Sequence, residues 1–188
     1  MIIVTGAAGL IGSAVVRELN RRGERDLVLV DHLGTSEKWM YLRSLRFLEY
    51  LERDEFIERV QDELEFPEAE FTDGSGAANS SAGGELSFTG LRAIIHLGAN
   101  SSTTEKDATH LIENNYRYSI LMARLARHCN ARFVYASSAA TYGDGAQGFD
   151  DGHDRLHELR PLNAYGYSKQ VFDQYMERVG FAGAAGIK

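Results

Sequence analysis

Four short apolar runs, "IIVT" (2–5), "LVLVD" (27–31), "AIIHLG" (93–98) and "RFVYAS" (132–137), recur along this chain with longer helix-patterned segments between them. Runs that stay apolar without alternating suit strands buried on both faces, which arise when helical crossovers cover a parallel sheet. Each run is bounded by Gly, Asp, Asn or Ser, the residues that end strands. Helices are expected from about Leu10 to Arg22, over a mostly helical stretch from Ser36 to Glu65, from about Ala108 to Cys129, and after Ala164. Inside the second stretch, "RFLEYLE" fits a short strand or a continuing helix, and periodicity does not separate the two. A strand at 47–51 is favoured because a doubly wound sheet needs one there.

Residues 66–91 break the pattern: Gly, Ser, Ala and Asn dominate, little is available to bury, and a long flexible loop with a weak hairpin at its end is expected. At the other extreme, "GFAGAAGIK" reads as a turn entering one more strand just as the sequence stops. A dinucleotide-binding sheet ordinarily continues into a second half, so a single domain over 1–188 with its C-terminal substrate region missing is the expected organisation.

The composition suits a globular protein, with 44% hydrophobic and 25% charged residues among 188. A net charge of −7, with basic residues scattered, argues against a nucleic-acid partner. The opening "MIIVTG" is too short for a signal segment and no run is long enough to span a membrane, so a cytoplasmic protein without a membrane partner is expected. Cys129 is the single cysteine, which excludes an intrachain disulfide and a Cys-based zinc site. It reads as a partly buried structural residue.

"VTGAAGLIGS" sets Gly6, Gly9 and Gly12 behind the first strand and into the first helix. The first glycine allows a tight turn, the second lets backbone approach a pyrophosphate, and the third lets helix pack against strand. Asp31 ends the second strand nineteen residues after Gly12, where an acid can hold the adenosine ribose. Triplet, flanks and acid together specify a dinucleotide site in a doubly wound (Rossmann) α/β parallel sheet.

"FVYASSAATYG" places serines at the C-terminal end of a parallel strand, the edge where such sheets bind ligands. "PLNAYGYSK" then sets Tyr165 and Lys169 on one helix face. The i, i+4 spacing alone decides little; the order Ser, Tyr, Lys behind a dinucleotide loop decides more. With these motifs the chain resembles the extended short-chain dehydrogenase/reductase family. "GANSSTTE" (98–105) and "ENNYRYS" (113–119) narrow the likeness to the enzymes that epimerise ADP-linked glycero-manno-heptose at C6, in supply of the lipopolysaccharide inner core. The likeness spans most of the chain, excepting the Gly/Ser-rich loop.

The resemblance implies Tyr165 as the acid/base, Lys169 as its partner and as a nicotinamide-ribose contact, and Ser138 as the hydroxyl that orients the reacting oxygen. It implies cofactor contacts at Leu10, Ile11, Asp31, His32, Lys38, Arg53, Leu97, Gly98, Ala99, Asn100, Ser101 and Asn114, and a sugar-facing stretch through Ser102, Thr103, Thr104 and Glu105. The reaction implied is inversion at C6 through transient oxidation, with no net redox and with an ADP-heptose sugar nucleotide as substrate. Its second proton-transfer group lies beyond Lys188 in the family. This chain is therefore expected to bind cofactor without turning over alone, and the full-length protein to be a homo-oligomer. Asp31 suits the free ribose of NAD, whereas Lys38 and Arg53 can neutralise the 2′-phosphate of NADP. The resemblance tips the expectation to NADP, with NAD as the alternative. The competing functions are another sugar-nucleotide epimerase or dehydratase, such as a UDP-glucose 4-epimerase-like enzyme, and a non-catalytic dinucleotide-binding fragment. A dehydratase needs acids beside the strand-end hydroxyls, and "SSAAT" offers none.

Three other features read as structural. His153 and His157 in "DDGHDRLHE" have a chelating spacing in a polar, loop-like segment, and no metal is expected there. Tyr116 and Tyr118 read as packing residues, and His96 as a core imidazole with its hydrogen bonds satisfied.

Overall fold

The computed structural model describes residues 1–65 and 87–188. Six parallel strands, β1 (Ile2–Thr5), β2 (Leu27–Asp31), β3 (Glu49–Glu52), β4 (Ala93–His96), β5 (Arg132–Ala136) and β6 (Ala184–Ile187), form one sheet in the order β3-β2-β1-β4-β5-β6. The α/β doubly wound expectation holds. The order reverses direction between β1 and β4, and that switch point opens a crevice at the carboxyl ends of the strands.

β1 and β2 are buried at every position, as their unbroken apolar sequence requires. β3 lies at the sheet edge, starting two residues later and ending one residue later than the expected 47–51; only Leu51 in it is buried. The two expected strands at 93–98 and 132–137 end at His96 and Ala136, which leaves their last residues free to form the crevice.

The helices are α1 (Leu10–Arg21), α2 (Arg53–Glu65), α3 (Ala108–Leu111), α4 (Tyr118–His128) and α5 (Ala164–Val179). A π-helical segment, Ile112–Arg117, joins α3 to α4, so the single helix expected over 108–129 carries one looser turn. Such turns re-aim side chains and recur at functional sites. One core layer packs Phe56, Met122, Leu125, Phe133 and Phe172 around the face of the sheet covered by α2, α4 and α5; the other packs Val16 of α1 on Val4, Leu27 and Leu29.

The loop expected over 66–91 lies outside the described residues as far as position 86. Its last part corrects the expectation of little to bury: Phe88 and Leu91 enter the core, and Phe88 meets Phe56 edge-on at 6.2 Å between ring centroids. Cys129 follows α4, half-buried, and burial pushes its thiol up to about 11, away from reactive thiolate behaviour.

Candidate functional site

The crevice at the switch point contains a cavity of about 250 Å³. Gly6, Asp31, His32, Lys38, Arg53, Gly98, Ala99, Asn100 and Asn114 line it, and every one is a position expected to meet a dinucleotide. Val30, His110 and Tyr118 complete the wall. These residues come from the ends of β1, β2 and β4, a 3-10 turn at Glu37–Leu42, the start of α2, α3, the π-helical turn and the start of α4, and only the fold brings them together.

The turn after β1 makes the close approach that the glycine spacing implies. Gly6 has φ +68, and Gly9 caps α1 without a side-chain bond, leaving Leu10 and Ile11 exposed at the helix start. A Cβ on Gly12 would lie 2.1 Å from the Gly6 carbonyl oxygen, so no other residue lets α1 rest on the turn. Asp31 closes the neighbouring corner. Its Oδ2 accepts from the Ala8 amide at 2.8 Å, and its Oδ1 accepts from the His32 amide and from Lys38 Nζ, each at 2.8 Å. Arg53 reaches across the mouth to Asn114 Oδ1 at 2.5 Å while pairing with Asp54.

Asn115 is a structural member of the site that the sequence did not single out. Fully buried, it accepts from the Asn100 amide at 2.8 Å and donates to the Asn100 carbonyl at 2.9 Å and to Ser168 Oγ at 3.0 Å. It ties the loop after β4 to α5. The stretch after Asn100 runs away from the cavity: Ser101, Ser102, Thr103 and Thr104 are exposed and Glu105 is half-buried. Leu97 likewise stands outside the cavity wall, its amide bonded to the Thr5 carbonyl at 3.1 Å.

Ser138, Tyr165 and Lys169 gather one strand further along. Ser138 caps the 3-10 turn Ala139–Tyr142, its Oγ accepting from the Ala140 amide at 3.1 Å, which leaves its O–H free to donate. Asn163 caps α5 by accepting from the Gly166 amide at 2.7 Å. A Cβ on Gly166 would lie 2.6 Å from the Ala140 carbonyl oxygen, so this glycine is what lets the start of α5 press against the turn that holds Ser138. Tyr165 is half-buried there. Lys169 is buried, its Nζ donating to the Ala136 carbonyl at 2.9 Å, and burial pulls it down to about 8, with the Asp173 carboxylate opposing.

The two strand-end serines divide their tasks. Ser138 faces the crevice turn, whereas Ser137 is buried and donates to Asp173 Oδ2 at 2.5 Å. Asp173, one turn beyond Lys169, is a second residue absent from the sequence reading; burial raises its carboxyl, and its Oδ1 is buried without a hydrogen-bond partner. His96 holds Thr5 Oγ1 at 2.7 Å and Ser119 Oγ at 2.8 Å, and burial depresses it to about 3, a neutral core imidazole as expected. Of the histidine pair in "DDGHDRLHE", the side chain of His153 lies outside the described residues and His157 is exposed on a 3-10 turn.

Residues 2–186 match the NAD dependent epimerase/dehydratase family. The chain belongs to that family. Its relatives include an ADP-L-glycero-D-manno-heptose-6-epimerase of Nitratidesulfovibrio vulgaris, 45% identical over 100% of this chain and 52% of that protein. A protein of the same name from Fusobacterium nucleatum is 38% identical over 93% of this chain and 47% of its own length. The chain thus spans about half the length of the curated relatives it matches. Among solved structures, the heptose epimerase of Helicobacter pylori superposes with a TM-score of 0.65 at 21% identity, covering 95% of this chain and 50% of that one. UDP-glucose 4-epimerase of Thermotoga maritima superposes at 0.69 and 20% identity, covering 98% and 53%. At such identities the likeness is one of fold, and it is the fold of this epimerase/dehydratase family that sets the cavity at the switch point.

Proposed function

We propose that this chain is the NADP-binding half of an enzyme that inverts C6 of an ADP-linked glycero-manno-heptose, in supply of lipopolysaccharide inner core. The single observation that carries the reading is the cavity, which unites nine separately expected dinucleotide positions, supported by the named relatives at 38–45% identity. The walls suit a dinucleotide: Gly6, in the turn that leads into the start of α1, and Asp31, at the end of β2, both line the cavity, as a pyrophosphate and a ribose would require.

NADP is favoured over NAD by the pairing of Lys38 with Asp31. An unpaired carboxylate at that corner repels a 2′-phosphate; one already neutralised by Lys38, with Arg53 also lining the cavity, does not. Lys38→Ala is therefore expected to weaken NADP about tenfold while NAD changes by less than about threefold, measured by calorimetry. Equal losses for both would assign Lys38 no part in the choice.

The bound dinucleotide supplies removal of hydride from C6 and its return to the opposite face, with no net redox. The protein's own groups handle the proton. Tyr165 takes the proton of the C6 hydroxyl on one face, the buried ammonium of Lys169 favours the phenolate needed for that, and Ser138 donates to the reacting oxygen. The proton returned on the opposite face comes from the second group that the resemblance places beyond Lys188. Ser102 to Thr104, exposed beyond the cavity wall, are set to meet the sugar.

The test replaces the corresponding half of the Nitratidesulfovibrio relative with residues 1–188, supplies ADP-D-glycero-manno-heptose with NADP, and follows C6 by proton NMR. Inversion is the expected result. A folded chimera that binds NADP and leaves C6 untouched would assign the chain to a different sugar nucleotide.

A further inference from the structure

Tyr118 opens α4 directly after the π-helical turn, with its ring edge-on to His96 at 5.1 Å between centroids. By sequence it reads as a packing residue, and the ring does pack. Its hydroxyl does something else. The side chain is 6% exposed, it lines the dinucleotide cavity, and the hydroxyl oxygen is buried without a hydrogen-bond partner among the described residues. A buried hydroxyl left unpaired costs free energy that a phenylalanine at the same position would not. The Thr5 hydroxyl is close enough to act weakly on that of Tyr118 but does not meet hydrogen-bond geometry, and Thr5 Oγ1 is itself engaged with His96 Nδ1 at 2.7 Å and the Gly98 amide at 3.1 Å. The charges that act on the Tyr118 hydroxyl are Arg53, Asp31 and Asp54, and the first two line the cavity at positions expected to meet the adenosine half.

We propose that the Tyr118 hydroxyl is a recognition group for the adenosine half of the dinucleotide, donating the hydrogen bond that it lacks in the protein alone. The proposal rests on the dinucleotide reading of the cavity and adds to it the residue that selects its adenosine half. The phenol is suited to donate, because burial keeps it protonated well above neutral pH. Arg53 spans the mouth to Asn114, beside Tyr118 on the same wall.

The test compares Tyr118→Phe with the wild-type chain in calorimetric titrations of adenosine 2′,5′-bisphosphate, adenosine 5′-monophosphate and nicotinamide mononucleotide, together with the melting temperature of each protein without ligand. The expected result is a fivefold to tenfold loss of affinity for both adenosine ligands, unchanged affinity for the mononucleotide, and a ligand-free variant that melts no lower than wild type. Equal affinity of both proteins for the adenosine ligands would overturn the role of Tyr118 and leave the cavity's assignment standing. A variant that melts lower without ligand would overturn it too, by showing that the hydroxyl has a partner inside the protein. Failure of the wild-type chain to bind either adenosine ligand would overturn the dinucleotide reading itself, and the role of Tyr118 with it.

Discussion

Gly12→Val is expected to abolish measurable dinucleotide binding, a loss of at least about a hundredfold, while leaving a folded but less stable chain. The cause is steric. A Cβ there would sit 2.1 Å from the Gly6 oxygen and 2.8 Å from Ala7 Cα, so α1 must lift off the turn to admit any side chain. Lifting α1 moves the amides proposed to face a pyrophosphate, and it also separates Val16 from the core layer on Val4 and Leu29. Overpacking of this kind costs about 1–3 kcal/mol. Calorimetry with NADP and a urea titration read the two effects separately. Wild-type affinity in the variant would mean that the glycine turn does not hold the ligand.

Tyr165→Phe is expected to lower turnover about a hundredfold or more in a protein of the relatives' length, with NADP affinity nearly unchanged. The substitution removes the proposed proton-transfer group and almost no volume, and Tyr165 is not part of the cavity wall. The neighbouring charges add a pH signature. Lys169 falls to about 8 through burial, and the phenolate proposed for Tyr165 is favoured only while that ammonium keeps its proton. Turnover should therefore decline as pH rises through about 8. Asp173 opposes the fall, so Asp173→Asn should move this decline to lower pH. Near-normal turnover by Tyr165→Phe would reduce the Tyr and Lys spacing to one face of α5.

The sheet was legible because β1 and β2 sit in the middle of the order and are buried on both faces, which leaves unbroken apolar runs in the sequence. β3 was harder. At the edge only Leu51 is buried, so "EYLE" carries little of the strand signal. The π-helical turn left no trace, since one extra residue in a turn hardly alters the apolar spacing of a long helix, yet it sets where Asn114, Asn115 and Tyr118 stand. Phe88 and Leu91 were hidden by the Gly/Ser-rich composition around them, although two apolar side chains suffice to anchor a segment.

Among the site residues, those that repeat a local motif were readable and those defined by tertiary surroundings were not. Gly6, Gly9, Gly12 and Asp31 follow a spacing imposed by a strand, a turn and a helix. Tyr118 and Asp173 matter because each buries an oxygen without a partner, a property that exists only after folding. The pairing of Lys38 with Asp31 belongs to the same group: it neutralises an acid that by itself suggests NAD, and on it the proposed preference for NADP rests.

Titration of NADP and NAD into this chain tests the central claim most directly, because it needs neither the sugar nor a longer protein. NADP should bind, with an affinity at least about tenfold above that of NAD, a difference of roughly 1.4 kcal/mol. Absence of binding by both, or NAD binding tighter by the same factor, would contradict the assignment of the cavity and of the Lys38 and Arg53 walls that shape it.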